Sequence, residues 1–165
     1  MESQARDGGW EIYASTVGGI LNTAAALLSP IKFSTTQNAS FSGIDLGPRI
    51  ALTTSHPMIQ LNTWDVERSD HVGFEILVPA LLDMLEEYGI KFEFTGRSAL
   101  QSLREIKMAK FNPEILYEPT KITLLYFLEA FIGKIDFDRI AHHKTDGHFM
   151  ASPSPTAVYL MNSSA

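Results

Sequence analysis

Tyr126 and Glu129 are the polar positions in the run from Leu124 to Phe131, and their spacing of three puts them on one face of a helix built there. Leu124, Leu125, Phe127, Leu128, Ala130 and Phe131 cover most of that helix's circumference, so it is expected to be buried on most sides. A polar pair enclosed in this way needs hydrogen-bond partners or a ligand, and a tyrosine bonded to Glu129 is the expected arrangement. Asp136-Phe137-Asp138 offers two carboxylates, which read as a helix N-cap followed by a first-turn acid. His142-His143, with Asp138, Asp146 and His148 close in the chain, has the donor types of a metal site. Adjacent histidines on a helix point to different sides, however, and cations at a helix C-terminus are favourable without a metal. A serine nucleophile in the "MASPSPTAVYLM" stretch would lack a base partner. The absence of cysteine excludes disulfides, thiolate metal sites and cysteine nucleophiles.

These side chains must be positioned by a folded body, and the composition provides for one. Of 165 residues 45% are hydrophobic and 19% charged, which fits an ordinary globular chain rather than a disordered one. A net charge of −6 with scattered Lys and Arg argues against a nucleic-acid partner, since a phosphate backbone is held by clustered cations. An anionic substrate would have to be met by a few placed cations. The start "MESQARDGG" has no basic stretch followed by an apolar run, and the longest apolar segments fall short of a bilayer span. A soluble, cytoplasmic chain is expected, without a transmembrane segment.

Helical periodicity dominates. Residues 11–30 read as an early helix after an N-terminal tail at 1–10, capped by Ser15 or Thr16 and stopped at Ser29-Pro30, with Ile20, Leu21, Ala24, Leu27 and Leu28 on its stripe. Residues 31–60 are rich in Ser, Thr, Gly, Asn and Pro, show no sustained period, and are expected to form an irregular or disordered insertion with a weak strand at Arg49–Thr53. Pro79 is expected to open a helix that Gly89 stops, leaving Glu75 just before its positive end. Ser98–Lys110 carries a stripe of Leu100, Leu103 and Ile106 or Lys107. Asn112-Pro113-Glu114, Asp136 and Ser152-Pro153 or Ser154-Pro155 mark three further starts. The prediction is an all-α chain of short antiparallel helices, with no heptads and no phosphate-binding glycine pattern.

The blocks "WEIYASTVGGILNTAAALL", "HVGFEILVPALLDMLEEYGIKFEF", "IKMAKFNPEILY", "LLYFLEAFIGKIDFD" and "DGHFMASPSPTAVYLMNSS" resemble the fungal bifunctional diterpene cyclases of the copalyl diphosphate/ent-kaurene synthase type. Plant copalyl diphosphate synthases are similar at the same places in shorter blocks. The resemblance covers Gly8 to about Leu28 and Leu61 to Ala165, whereas residues 31–60 do not look like the family. It implies a partial α-barrel, with 61–165 as part of the helical γ domain, truncated at the C-terminus, against which a β domain would pack. In that family the complete enzyme cyclises geranylgeranyl diphosphate to a copalyl-type diphosphate by protonating an alkene, with Mg2+ assisting.

What the resemblance implies for individual residues is limited. The family's proton donor is a "DxDD" motif, which this sequence lacks, as it lacks the "DDxxD" metal motif, so no catalytic acid is expected here. Lys107 aligns with the lysine that binds the substrate diphosphate, a fitting point charge for phosphate. Glu75 aligns with an acid near the diphosphate and Mg2+. Tyr126 in "LLYFLE" stands where plant copalyl enzymes place a histidine that helps take the final proton; with a pKa of ~10, tyrosine is a poor base at neutral pH. The isolated chain is therefore expected to be inactive. A helical interaction module and a non-functional truncated gene product are the alternatives.

Overall fold

A computed structural model of the chain describes residues 16–36 and 57–164. They are helical, and no β-strand occurs among them. Two compact units divide the chain, Met1–Arg104 and Glu105–Ala165, with the boundary inside one helix.

In the first unit α1 spans Thr16–Thr36, residues 57–63 form α2, α3 spans Phe74–Glu87, and α4, Arg97–Ala109, carries the chain over the boundary. α1 packs on α3. Val17, Ile20, Ala24, Leu27, Leu28 and Ile31 recur at helical spacing on α1 and join Phe74, Val78, Leu81 and Leu85 of α3 in one apolar core. Trp64 meets the edge of Phe74 at 5.4 Å, and Gly96 passes so close to Val66 that a Cβ would lie 2.6 Å from its Cγ2.

Three expectations for this unit change. α1 does not stop at Ser29-Pro30 but runs on to Thr36, so 31–36 and 57–60 are helical rather than irregular. A proline forfeits one hydrogen bond, and the buried stripe that continues to Ile31 outweighs that loss. Ser15 and the strand expected at Arg49–Thr53 lie outside the described residues. α3 begins five residues before Pro79, which is interior and buried, and Glu75 belongs to the first turn instead of preceding it. Burial of Phe74, Ile76 and Val78 draws the helix backward past its proline. The far end follows expectation. Gly89, at φ 79°, and Ile90 donate to the carbonyls of Glu86 and Leu85 at 2.9 and 3.0 Å, a glycine-terminated helix end.

The second unit is made of shorter pieces. α5 is one turn, Glu114–Tyr117, with Asn112 Oδ1 accepting from Glu114 N at 3.1 Å as its cap. Three 3-10 helices follow, Thr123–Tyr126, Leu128–Phe131 and Asp138–His143, and α6 closes the unit at Pro153–Asn162. The single buried helix expected over Leu124–Phe131 is thus broken at Phe127. Leu125, Leu128 and Phe131 are at most 1% exposed and recur every third residue, the spacing at which 3-10 side chains eclipse. α6 packs on Leu128–Phe131 and on Thr123–Tyr126, burying Pro155, Val158 and Tyr159. Phe111 stacks on Phe131 at 4.4 Å, and Phe149 meets Tyr159 at 4.5 Å with the rings tilted by 34°.

Between Asp138–His143 and α6 the chain turns twice. Thr145 and His148 exchange backbone hydrogen bonds across Asp146 and Gly147, with φ 49° and 85°, and Ser152 donates to Phe149 across Met150 and Ala151, both at φ 51°. Positive φ at both central residues is the mark of a tight hairpin turn. Asp-Gly adopts it readily, whereas Met-Ala does so against its Cβ atoms.

Candidate functional site

Glu75 lies in the first unit and Lys107 and Tyr126 in the second, and each is set by its own element. Gly73 at φ 83° starts α3, and Ile76 and Leu77 both donate to its carbonyl, at 3.1 and 3.0 Å. No side chain caps this end, so Glu75, half-buried in the first turn, supplies the negative charge the helix dipole favours. Pro79 has no N–H to give to the Glu75 carbonyl four residues back. Lys107 sits exposed in the last turn of α4, where a cation complements the negative helix end, and its carbonyl accepts from Lys110 N at 3.2 Å. Ile106, expected on the buried stripe, is 55% exposed, and Leu100 is the buried residue of α4.

Tyr126 is not a core tyrosine. It is 43% exposed at the end of its 3-10 helix, and Glu129 is engaged from elsewhere. Ser154 Oγ, in the first turn of α6, donates to Glu129 Oε1, while Glu129 Oε2 is buried without a partner. The expected enclosed pair does not form: Tyr126 faces solvent, and Glu129 is held by Ser154. Its place is taken by a carboxylate joining Leu128–Phe131 to the start of α6.

The histidines take structural roles that the sequence did not reveal. Their rings lie 4.1 Å apart rather than on different sides. His143 Nε2 is 2.9 Å from the Leu116 carbonyl and His142 Nε2 3.1 Å from that of Glu118. As a carbonyl only accepts, both imidazoles donate from Nε2, and they close the carbonyl end of the one-turn helix α5. Arg139 forks onto both Glu114 oxygens, at 3.2 and 3.0 Å, and lies 3.6 Å over the Tyr117 ring, while the Tyr117 hydroxyl accepts from Asp136 N at 2.9 Å. Arg139 holds the Glu114 carboxyl below its ordinary range. Asp136 caps as expected, its Oδ1 accepting from Asp138 N at 3.0 Å, and Asp138 in turn accepts from Ser164 N at 2.7 Å, which lowers its pKa. The signal that could have found these links is the clustering of hydrogen-bonding side chains around a helix too short to satisfy its own ends.

Among the described residues, no group of three or more His, Asp or Glu side chains is placed to hold a metal ion, so Glu75 with its neighbours does not by itself fit Mg2+. No helix among them is long and apolar enough to cross a membrane.

No protein-family model matches the chain. It is 48% identical over 164 residues to copalyl diphosphate synthase of Talaromyces verruculosus, covering 98% of this chain and 17% of that protein. It is likewise 48% identical over 167 residues to pimaradiene synthase of Emericella nidulans and 42% identical over 170 residues to ent-kaur-16-ene synthase of Phaeosphaeria sp.. These spans of 98 to 100% of the chain take in residues 31–60, which the sequence alone left outside the resemblance. Among solved structures it matches ent-copalyl diphosphate synthase from Arabidopsis thaliana, in complex with (S)-15-aza-14,15-dihydrogeranylgeranyl thiolodiphosphate, with a TM-score of 0.76 over 97% of this chain and 22% of that one. At 22% identity that match concerns the fold.

Proposed function

We propose, from the premise that this chain is a homologue of the fungal diterpene cyclases spanning about 17% of their length, that it supplies the γ-domain wall of a class II cyclisation site. The observation that carries this reading is the 48% identity to a copalyl diphosphate synthase over nearly the whole chain. The substrate is then geranylgeranyl diphosphate and the product a copalyl-type diphosphate, so the reaction is an isomerisation.

Lys107 is the proposed contact to the diphosphate, through a mobile ammonium on an exposed helix end. Glu75 is the proposed acid on the diphosphate side. Mg2+ would be held in the complete enzyme with the diphosphate, not by this chain alone. Tyr126 is suited to shaping the hydrocarbon pocket or donating a hydrogen bond rather than to taking a proton. Protonation of the alkene needs a strong acid that this sequence lacks, so a β domain carrying "DxDD" is the proposed partner, and the cytoplasm the proposed compartment.

A chimera tests this. Replacing the matching segment of the Talaromyces verruculosus synthase with this chain is expected to keep conversion of geranylgeranyl diphosphate to copalyl diphosphate, while this chain alone shows none above a blank. Lys107→Ala in the chimera is expected to raise KM about tenfold or more, as removal of a charge-assisted phosphate contact should. A folded chimera without product would overturn the assignment. The second reading, an interaction module, draws on α6, where Leu160 and Met161 are 57% and 68% exposed on a helix without a charged residue.

A further inference from the structure

We propose that His143 is an acid-released latch, which at neutral pH fastens the 3-10 helix Asp138–His143 onto α5 and lets it go under mild acid. The geometry is specific. His143 is 1% exposed, its Nε2–H donates to the Leu116 carbonyl at 2.9 Å, and its Nδ1 is buried with no partner. Nδ1 is therefore the ring position left to receive a proton, and a proton arriving there would put a charge into a site that offers it no acceptor.

The surroundings oppose that charge. His142, 4.1 Å away on the same helix, and Lys121, ahead of Thr123–Tyr126, both disfavour a positive charge on His143. The acids of the two packed elements are engaged elsewhere: Glu114 of α5 holds Arg139, and Asp138 accepts from Ser164. Tyr117 is occupied by Asp136 N, and Glu118, just past α5, presents its carbonyl to His142. On α6, Tyr159 lies under Lys144 at 5.4 Å. Burial first, then His142 and Lys121, hold the His143 pKa below its ordinary 6.5, against the opposing pull of the Leu116 carbonyl.

The sign follows from this. The folded latch binds fewer protons than the open one, so its contribution is complete above the ordinary histidine value and drains away as the pH falls from there toward the lower folded value. Hydrogen exchange of the full chain provides the test. Going from about pH 7.5 to about pH 5.5, and after correction for intrinsic rates, opening of segments 111–118 and 137–145 is expected to rise up to roughly tenfold. His143→Gln keeps an N–H for Leu116 without a titrating ring and is expected to abolish this response. A flat response in the native chain, or an unchanged one in His143→Gln, would overturn the latch. Should that variant not fold, a carbon-13 titration of the native histidines decides. A neutral Nε2–H form of His143 that gains its proton together with the opening supports the proposal, and a ring already charged at neutral pH refutes it.

Discussion

The two units reach stability by different routes. Met1–Arg104 relies on long helices whose apolar stripes share one core, in which Ile20, Leu27 and Leu85 are at most 1% exposed. Glu105–Ala165 has helical pieces of four to ten residues, too short to be stable alone, and fastens them by side chains that reach carbonyls and amides elsewhere in the fold. His142, His143 and Tyr117 serve in this way, Asn112 and Asp136 hold amides two residues on, and Ser154 donates to the Glu129 carboxylate. The difference teaches that one fold class can bury its apolar side chains along helical stripes in one part and, in another, on short pieces that directed hydrogen bonds hold in place. Changes of pH and single polar substitutions should therefore act on the second unit more than on the first, while salt acts on exposed ion pairs of the first such as Arg97–Glu86 and Lys91–Glu93.

The contrast breaks most sharply at Leu85. Leu85→Ala, at a fully buried position of the first core, is expected to cost about 2–5 kcal/mol, read by urea denaturation with hydrogen exchange reporting each unit. If its cost were smaller than that of the Ser154 truncation below, the claim that area dominates the first unit would fail. Gly96→Ala is expected to cost about 1–3 kcal/mol, because Val66 Cγ2 stands 2.6 Å from the new methyl and a valine side chain has little freedom to move aside.

Ser154→Ala sharpens the comparison from the other side. It removes the donor to Glu129 and leaves a carboxylate with one oxygen already buried unpartnered, so a loss of about 1–3 kcal/mol confined to the second unit is expected. The smallest effect has the opposite sign. Ala151→Gly relieves a left-handed backbone conformation at φ 51° and, after the added freedom of the unfolded chain, should stabilise by about 0.5–1 kcal/mol in a thermal melt.

How legible the chain is follows the same division. Signals that depend on one residue and its immediate neighbours read correctly: the Gly89 stop, the Asn112 and Asp136 caps and the Ser152-Pro153 start. The core stripe of α1 also reads correctly, because a period of 3.6 is visible over several turns. Pro30 and Pro79 misled, since burial along a whole stripe exceeds the loss of one hydrogen bond and no local rule weighs the two. Tyr126 and Glu129 misled because a continuous helix was assumed where two short ones stand. For the candidate site, the sequence offered Lys107, Glu75 and Tyr126 as candidates through resemblance, and the structure adds that Tyr126 is exposed and Glu129 tied to α6. The links between α5 and the histidines run to backbone carbonyls, which every sequence possesses, so only the cluster of polar side chains around a one-turn helix points to them.

The pair Leu128 and Phe131, both buried and both in one 3-10 helix, also constrains how that helix can change length. A helix of three residues per turn returns to the same side after every third residue, so inserting three would lengthen it by about one turn, roughly 6 Å, and leave its direction intact. Inserting or deleting one would swing everything beyond the change by about 120° and carry Phe131 off its stacking partner Phe111. Length variation within Leu128–Phe131 should accordingly come in threes.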